Sequence, residues 1–276
     1  MDTNMNTGMG IFLGIVQGLT EFLPISSSGH LVLFQNLLGL MEPEILFDSL
    51  LHLGTLVAVC IYFSSDLSRM IKESWYVIRE LKHGGIKRRP MHESPHASLA
   101  LWVFIGSIPT AFIGLVFKSS LEDLFGSVTI TGITLLFTGM ILAVTRVIPK
   151  DYNRREKIGF LTSLTVGIAQ GVAIIPGISR SGATIVCGML CKMERELAAR
   201  YSFLLSIPAI LGALGLQLGS GELGNIGLIP LISGFLASTI VGLMALKILM
   251  GLVRKGGLFY FSPYCIVLGL TIIIIF

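Results

Sequence analysis

The sequence predicts an all-α polytopic membrane protein, built as an inverted-topology repeat of about six transmembrane helices plus two re-entrant helical hairpins. Three observations predict it. Hydrophobic residues make up 53% of the 276 positions and charged residues 13%, with a mean hydropathy of +0.83. A soluble domain carries about 25% charged residues, so this chain cannot cover a water-facing surface. The apolar runs are long rather than alternating, and backbone groups in lipid must be satisfied within their own segment, so the runs are helices and a β-barrel is excluded. Finally, two apolar stretches are broken midway, and they are copies of one another.

The elements follow in chain order. A first broken stretch covers about 9–40, interrupted by Phe22-Leu-Pro-Ile-Ser-Ser-Ser-Gly-His30. A full span at 46–64 leads into a basic segment, 65–97, with Arg69, Lys72, Arg79, Lys82, Lys87, Arg88 and Arg89. Spans at 98–118 and 128–147 come next, the first opened by Ser94 as N-cap and Pro95 at the first helical position. The second broken stretch, about 158–190, is interrupted by Ile174-Ile-Pro-Gly-Ile-Ser-Arg-Ser-Gly-Ala-Thr184. Spans at 198–218, 226–250 and 258–276 complete the chain. Each full span has roughly the 20 residues that cross a ~30 Å hydrocarbon core. Neither flank of a broken stretch reaches that length, so each is expected to enter, break and return to its own side. Such backbone survives only where protein or a wet cavity surrounds it.

The whole chain forms one membrane domain of two halves, repeat A at about 9–147 and repeat B at about 158–276. Gly14-Ile-Val-Gln17-Gly18 matches Gly167-Ile-Ala-Gln170-Gly171, and from each Gln a Ser follows at +9 and +11 and a Gly at +12. Gly106 with Gly114 parallels Gly234 with Gly242. Shared order makes an internal repeat. Three full spans per half is an odd number, so the halves must sit upside down relative to each other. With both termini outside, the Lys and Arg of 65–97, 148–157 and 251–257 fall inside, while 119–127 and 219–225 hold Glu122, Asp123 and Glu222 but no Lys or Arg. The net charge of +4 is spent on these basic loops, which leaves no basis for a nucleic-acid partner. Four cysteines in apolar runs predict packing rather than disulfides or metal. The first ten residues lack the basic region of a cleaved signal peptide and are expected to stay on the mature protein.

The breaks carry the chemistry. The first offers Gln17, Glu21, Ser26, Ser27, Ser28 and His30; the second offers Gln170, Ser179, Arg180, Ser181 and Thr184. An ionisable group at membrane depth costs at least ~2.5 kcal/mol, so it persists for a use. Glu21 and Arg180 could simply neutralise each other and lock the halves together. A second use has more physical content. Each Ser-rich break leads into a helix, about 29–40 and 182–190, whose free N–H groups and positive dipole end favour an anion. Arg180 adds a bidentate cation suited to phosphate oxygens. At +10 from the Gln the copies differ, Ser27 against Arg180. A carboxylate beside phosphate is repelled unless it is protonated or a cation bridges them, so a Mg²⁺ or Ca²⁺ held by Glu21 and the Gln17 carbonyl is expected. Ser27 and His30 are three apart, a spacing that can bring imidazole to hydroxyl as in a nucleophile–base pair.

The run from Gln17 to His30, together with Pro176-Gly-Ile-Ser-Arg-Ser-Gly-Ala-Thr184, closely resembles the undecaprenyl-diphosphatase family of bacterial membranes. The resemblance covers essentially the whole chain. It implies dephosphorylation of undecaprenyl diphosphate to the monophosphate, recycling the lipid carrier of cell-wall synthesis, with bacitracin resistance on overproduction. It further implies divalent-cation dependence, a bacterial inner-membrane location and a site reached from the outer face. The family's (Glu/Gln)-x-x-x-Glu motif falls on Gln17 and Glu21, its Ser and His on Ser26, Ser27 and His30, and its Arg on Arg180. Many members carry Glu where this chain has Gln17, which leaves one fewer anionic ligand. Glu21, Ser27, His30 and Arg180 are thus the expected catalytic set, with Gln17, Ser26, Ser179, Ser181 and Thr184 around the substrate. Three chemistries are open: Ser27 attacks with His30 as base, His30 attacks directly, or water attacks with His30 as base.

Other signals carry less. His92-Glu93-Ser94-Pro95-His96 matches a zinc-protease pattern, but Pro95 at a helix start keeps both histidines off one helical turn. Asp48 and His52 are four apart and fit either a site mouth or a cap and a carbonyl bond equally well. The Gly10, Gly14, Gly18 series suits close helix packing. The expected partners are a polyprenyl diphosphate and membrane lipid, with a homodimer left open. A transporter or flippase for an anionic lipid or small anion is the rival function, since broken helices in inverted repeats are also a transporter plan.

Overall fold

Long apolar runs in lipid leave the backbone no choice but the helix, and every described element of the computed structural model is helical. The structure describes residues 5–40, 45–82, 94–125, 127–149, 157–220 and 227–276. The first half contains α1 (Thr7–Phe22), α2 (Ser27–Leu37), α3 (Ile45–Tyr62), α4 (Ser64–Lys82), α5 (Pro95–Val116), α6 (Lys118–Phe125) and α7 (Val128–Val144). The second contains α8 (Phe160–Val172), α9 (Arg180–Leu190), α10 (Arg195–Ser220), α11 (Leu228–Arg254) and, after a 3-10 turn at Gly257–Phe261, α12 (Ser262–Ile275). Four of the described helices are long and apolar enough to cross a membrane, or five if the bent pair α3–α4 counts as one span. The 17-residue α7 is apolar but shorter.

Packing is exchanged between the halves. α1 lies along α11 of the second half, and α8 lies along α5 of the first. The contacts are backbone to backbone: a Cβ at Gly14 would run into the Gly234 carbonyl oxygen, and one at Gly167 into the Gly106 carbonyl oxygen. Only glycine permits that approach, the small-residue mode of association expected where lipid removes the hydrophobic drive. The expected packing role of the first glycine series is therefore met, with Gly10 against Pro230 and Gly18 against Gly242. Many buried polar side chains in the bundle find partners; the Tyr201 hydroxyl, for instance, donates to the Trp102 carbonyl at 2.8 Å and meets Ser163 Oγ at 2.9 Å. All four cysteines are free thiols.

Two expectations need correction. The segment 65–97, expected to be a basic loop, is helical up to Lys82, turned by 75° from α3. Its positive charges masked a helical spacing: Leu67, Met70 and Val77 face inward onto α5, while Ile71, Trp75, Arg69, Lys72 and Arg79 stay exposed. That is the pattern of a helix lying along an interface. Residues 83–93, including His92 and Glu93 of the zinc-protease pattern, lie outside the described residues. Ser94 does occupy the N-cap of α5, but its side chain makes no capping bond. Glu73 of α4 performs that task instead, accepting from the backbone N–H groups of His96 (2.8 Å) and Ala97 (3.1 Å) and from His96 Nδ1 (2.8 Å). The 119–127 segment, expected as a loop, contains most of α6; Glu122, Asp123 and Glu222 fall among side chains or residues not described.

Candidate active site where the two breaks meet

Both breaks end in the same local device. Ser26 Oγ accepts the Gly29 N–H at 3.2 Å and Ser179 Oγ accepts the Gly182 N–H at 3.1 Å, so each Ser caps the helix it introduces. The backbone reverses at Ser26 (φ 67°) in the first break and at Gly177 (φ 87°) in the second. Carbonyls freed by the second break are satisfied by α7: Thr134 Oγ1 donates to Pro176 O at 2.5 Å and Thr138 Oγ1 to Gly177 O at 2.8 Å. Thr138 Oγ1 also accepts the Ser179 N–H at 3.0 Å. This is how irregular backbone is tolerated at membrane depth. The breaks touch, since a Cβ on Gly29 would lie 3.3 Å from the Gly177 Cα and one on Gly182 3.3 Å from the Pro24 Cβ.

Glu21, on the last turn of α1, is the hub. Its side chain is 2% exposed. Oε1 accepts from the Arg180 guanidinium at the first position of α9. Oε2 accepts from Ser27 Oγ at 2.5 Å and from Gln17 Nε2 at 3.0 Å, one helical turn back. His52 of α3 brings its Nδ1 to 3.3 Å from the same Oε2 and 2.9 Å from Gln17 Nε2. Four helices, two of them opening from the breaks, therefore converge on one buried carboxylate. Removing it would leave an arginine inside the bundle without its counter-charge, a loss of about 3–5 kcal/mol for such pairs.

The expected residues do not all face the same space. His30 does not meet the Ser27 hydroxyl. Its Nδ1 donates to the Ser26 carbonyl at 2.7 Å and its Nε2 accepts from the Tyr264 hydroxyl of α12 at 2.7 Å, with the rings stacked 5.8 Å apart. Both nitrogens are occupied, so in this arrangement His30 cannot take the Ser27 proton, and the group in reach of that proton is Glu21. Thr184 is fully buried and bonds the Arg180 carbonyl (2.7 Å) and Ser202 Oγ (2.5 Å), so it braces α9 and offers nothing outward. Gln17 and Ser181 are buried behind the site, whereas Ser26 and Ser179 reach the cavity described next. His52 was only an even alternative in the sequence, and it stands on the cavity wall with Asp48, which accepts from Gln35 Nε2 at 2.7 Å. Tyr264 carried no sequence signal, being one aromatic in an apolar span.

Glu21, Ser27, His52 and Arg180 line the polar end of a cavity of about 1070 Å³. Its remaining walls are mostly apolar and come from α5, α8 and α10. Two amide oxygens at equivalent repeat positions, Gln17 Oε1 and Gln170 Oε1, are buried without a partner. Such orphans are rare, and each calls for a reason. The arrangement supplies a hydroxyl bonded to a carboxylate, a fixed guanidinium, and two helix N-termini opening on one space. It suits a phosphate-bearing molecule with an apolar body.

Comparison with known proteins agrees with that chemistry. The family described as bacitracin resistance protein BacA matches residues 10–271. The chain belongs to this family. Among its curated relatives are proteins named undecaprenyl-diphosphatase. One, from Desulforapulum autotrophicum, is 46% identical over 274 residues, 98% of each chain. A second, from Carboxydothermus hydrogenoformans, is 44% identical over 276 residues, again 98% of each. A third, from Methanosphaera stadtmanae, is 41% identical over 266 residues, 96% of each. Matches of this length span every element that builds the Glu21 hub.

Proposed function

We propose that the chain hydrolyses undecaprenyl diphosphate to undecaprenyl phosphate and inorganic phosphate. One observation carries the proposal: the Ser27 hydroxyl is bonded to a Glu21 carboxylate whose other oxygen holds Arg180, at the polar end of an apolar-walled cavity. In the mechanism this supports, Arg180 and the N–H groups at the starts of α2 and α9 receive the diphosphate oxygens and stabilise charge on the transferring phosphoryl group. Ser27 Oγ bonds to the terminal phosphorus as its proton passes to Glu21, and the bond to the lipid-bearing phosphate breaks. Water then displaces Ser27 from phosphorus, its hydroxyl staying on the phosphate and its second proton passing to solvent, while Glu21 returns a proton to Ser27 Oγ. His52, beside Oε2, orients the carboxylate. His30 fixes the first turn of α2 against α12 rather than acting as base.

A divalent cation fits this site in a limited way. Among the described residues there is no group of three or more His, Cys, Asp or Glu that could hold one. Glu21 offers a carboxylate at the cavity, whereas Gln17 stays buried behind it with an unpartnered Oε1, so a Mg²⁺ or Ca²⁺ would be held by Glu21 and largely by substrate oxygens. When bound, such an ion supplies further neutralisation of the diphosphate.

The exchanged packing of α1 on α11 and α8 on α5 supports an inverted repeat, with α3 and α7 completing six spans and α1–α2 and α8–α9 as the two re-entrant hairpins. The cavity reaches Asp48 near the start of α3 and Gln217 near the end of α10, the ends that the charge pattern assigns to the outside. The basic residues of α4 lie beyond the other end of α3. This supports termini and site opening on the outer face of the cell membrane. The test is phosphate release from undecaprenyl diphosphate by purified protein in detergent, where no compartments exist. Absence of release there, with vectorial flux in vesicles, would replace the phosphatase by a transporter.

A further inference from the structure

The helix α4 keeps its two kinds of charge apart. Its carboxylates Asp66 and Glu73 turn towards the bundle and are paired there. Asp66 Oδ1 accepts from Arg200 Nη1 of α10 at 3.5 Å, and Glu73 Oε1 from His96 Nδ1 of α5 at 2.8 Å. The cations turn away. Arg69, Lys72 and Arg79 are exposed, and none has a carboxylate partner among the described residues. The exposed surface itself divides, at roughly 3.6 residues per turn. Ile71, Trp75 and Ile78 fall on one flank, and Arg69, Lys72, Tyr76 and Arg79 on the other. Glu80 is half-buried between the basic flank and the packed face. The apolar flank stands well clear of the protein, with Ile71 and Trp75 each 71% exposed.

We propose that α4 is a binding surface for anionic phospholipid, with Arg69, Lys72 and Arg79 on the headgroup phosphates and Ile71, Trp75 and Ile78 in the acyl layer beside them. The inference is independent of the phosphatase reading, since the cavity lies at the other end of α3. An apolar strip alone would suit any lipid, and a basic strip alone any polyanion. Side by side on one helix, they match a molecule that is apolar and anionic at once. An acidic protein would use the cations but leave Ile71 and Trp75 unexplained. The direction of the helix agrees, because α4 turns by 75° from α3 and so lies across the path of a spanning helix. Both strips can then sit at one depth, the level that Trp and Tyr side chains favour. The inward pairs of Asp66 and Glu73 also fix the roll of α4 about its own axis. The two strips therefore keep their facing before any lipid arrives, which lowers the cost of ordering them on binding.

The chain has two tryptophans, Trp75 and Trp102. Trp102 serves its neighbours through its backbone carbonyl, so the full-length Trp102→Phe protein leaves Trp75 as the sole reporter at the surface. It is reconstituted in bilayers that mix phosphatidylglycerol with phosphatidylcholine, one of the two brominated on its acyl chains, and quenching of Trp75 by bromine is read. The quenching should correspond to a relative affinity of about threefold or more in favour of phosphatidylglycerol. Raising the salt to about 1 M, where screening acts within ~3 Å, should bring that ratio towards one. Adding Arg69→Gln, Lys72→Gln and Arg79→Gln should do the same at an unchanged melting temperature, whereas Arg69→Lys with Arg79→Lys should keep the preference. A ratio of one in the Trp102→Phe protein overturns the proposal, as does a preference indifferent to salt or one that survives in the folded Gln variant. Absence of quenching by either lipid also overturns it and assigns the basic strip to a soluble acidic partner.

Discussion

The first break and the second share a frame and divide the chemistry. Each follows a glutamine on the preceding helix, each is closed by a serine that caps the next helix, and each sets that serine 3.3 Å from a second one. Three of the positions at which they differ carry the chemistry. Glu21 in the first copy answers to Ile174 in the second, Ser27 to Arg180, and His30 to Ala183. One hairpin holds the hydroxyl and the negative charge, the other the positive charge. Neither can bury its ionised group alone at a tolerable cost, so the site forms only when the halves assemble, and the pair that joins them is the pair that lines the polar end of the cavity. The backbones differ as well. The second break reverses at a glycine, whereas the first reverses at Ser26, the residue before the expected nucleophile. A non-glycine residue there stores about 1–3 kcal/mol, held in place by the surrounding contacts.

If that division holds, the largest effects come from the two charges. Glu21→Ala and Arg180→Ala should each lower turnover by a factor on the order of 10³ or more, and each should also lower the melting temperature, because an unpaired charge remains buried. The double variant Glu21→Gln with Arg180→Met separates these effects. It should recover much of the thermal stability and none of the turnover. Recovery of turnover would reduce the pair to a lock between halves.

Ser27→Ala comes next, with a loss of roughly 10²–10³ in phosphate release at nearly unchanged stability. Acid-stable phosphate on wild-type protein quenched during turnover, absent in Ser27→Ala, would place the attack on Ser27. A variant retaining a third of wild-type turnover would point to water activated by Glu21.

The sequence made the convergence of Glu21 and Arg180 readable, because two ionisable groups in copied, lipid-depth breaks have no cheap resting place apart. It did not show which way each neighbour points. Ser27 and His30 are one helical turn apart in a short helix, and a spacing of three is satisfied equally by a shared target or by two; here Ser27 faces α1 and His30 faces α12. His52 lay in a regular apolar span, and only the placement of α3 beside α1 brings it to Glu21. The α4 helix was hidden for a different reason: its basic residues signal the side of the membrane, and that signal outweighed the inward spacing of Leu67, Met70 and Val77. Residues 83–93, where the rest of the expected basic loop falls, lie outside the described residues.

His52→Ala tests the part of the site that only the fold supplies. Loss of a hydrogen bond to a charged group is worth about 1.5–3 kcal/mol, so turnover should fall roughly 10- to 100-fold with substrate affinity little changed. If His52 merely fills the wall, the change appears in KM instead.

The smallest expected effect decides between two roles for His30. As a positioning residue it acts through its bond to Tyr264, so His30→Ala should cost about tenfold in turnover and Tyr264→Phe about threefold, with the double variant little worse than His30→Ala alone. A neutral hydrogen bond of this kind is worth about 1 kcal/mol, and both variants should show it as a lowered melting temperature. A general base behaves differently. Its loss would cost roughly 10²–10⁴ in rate, and Tyr264→Phe would leave the rate near wild type because the imidazole would still be present. The ratio of the two single-variant rates, rather than the loss in either, is therefore the quantity that separates a brace from a base.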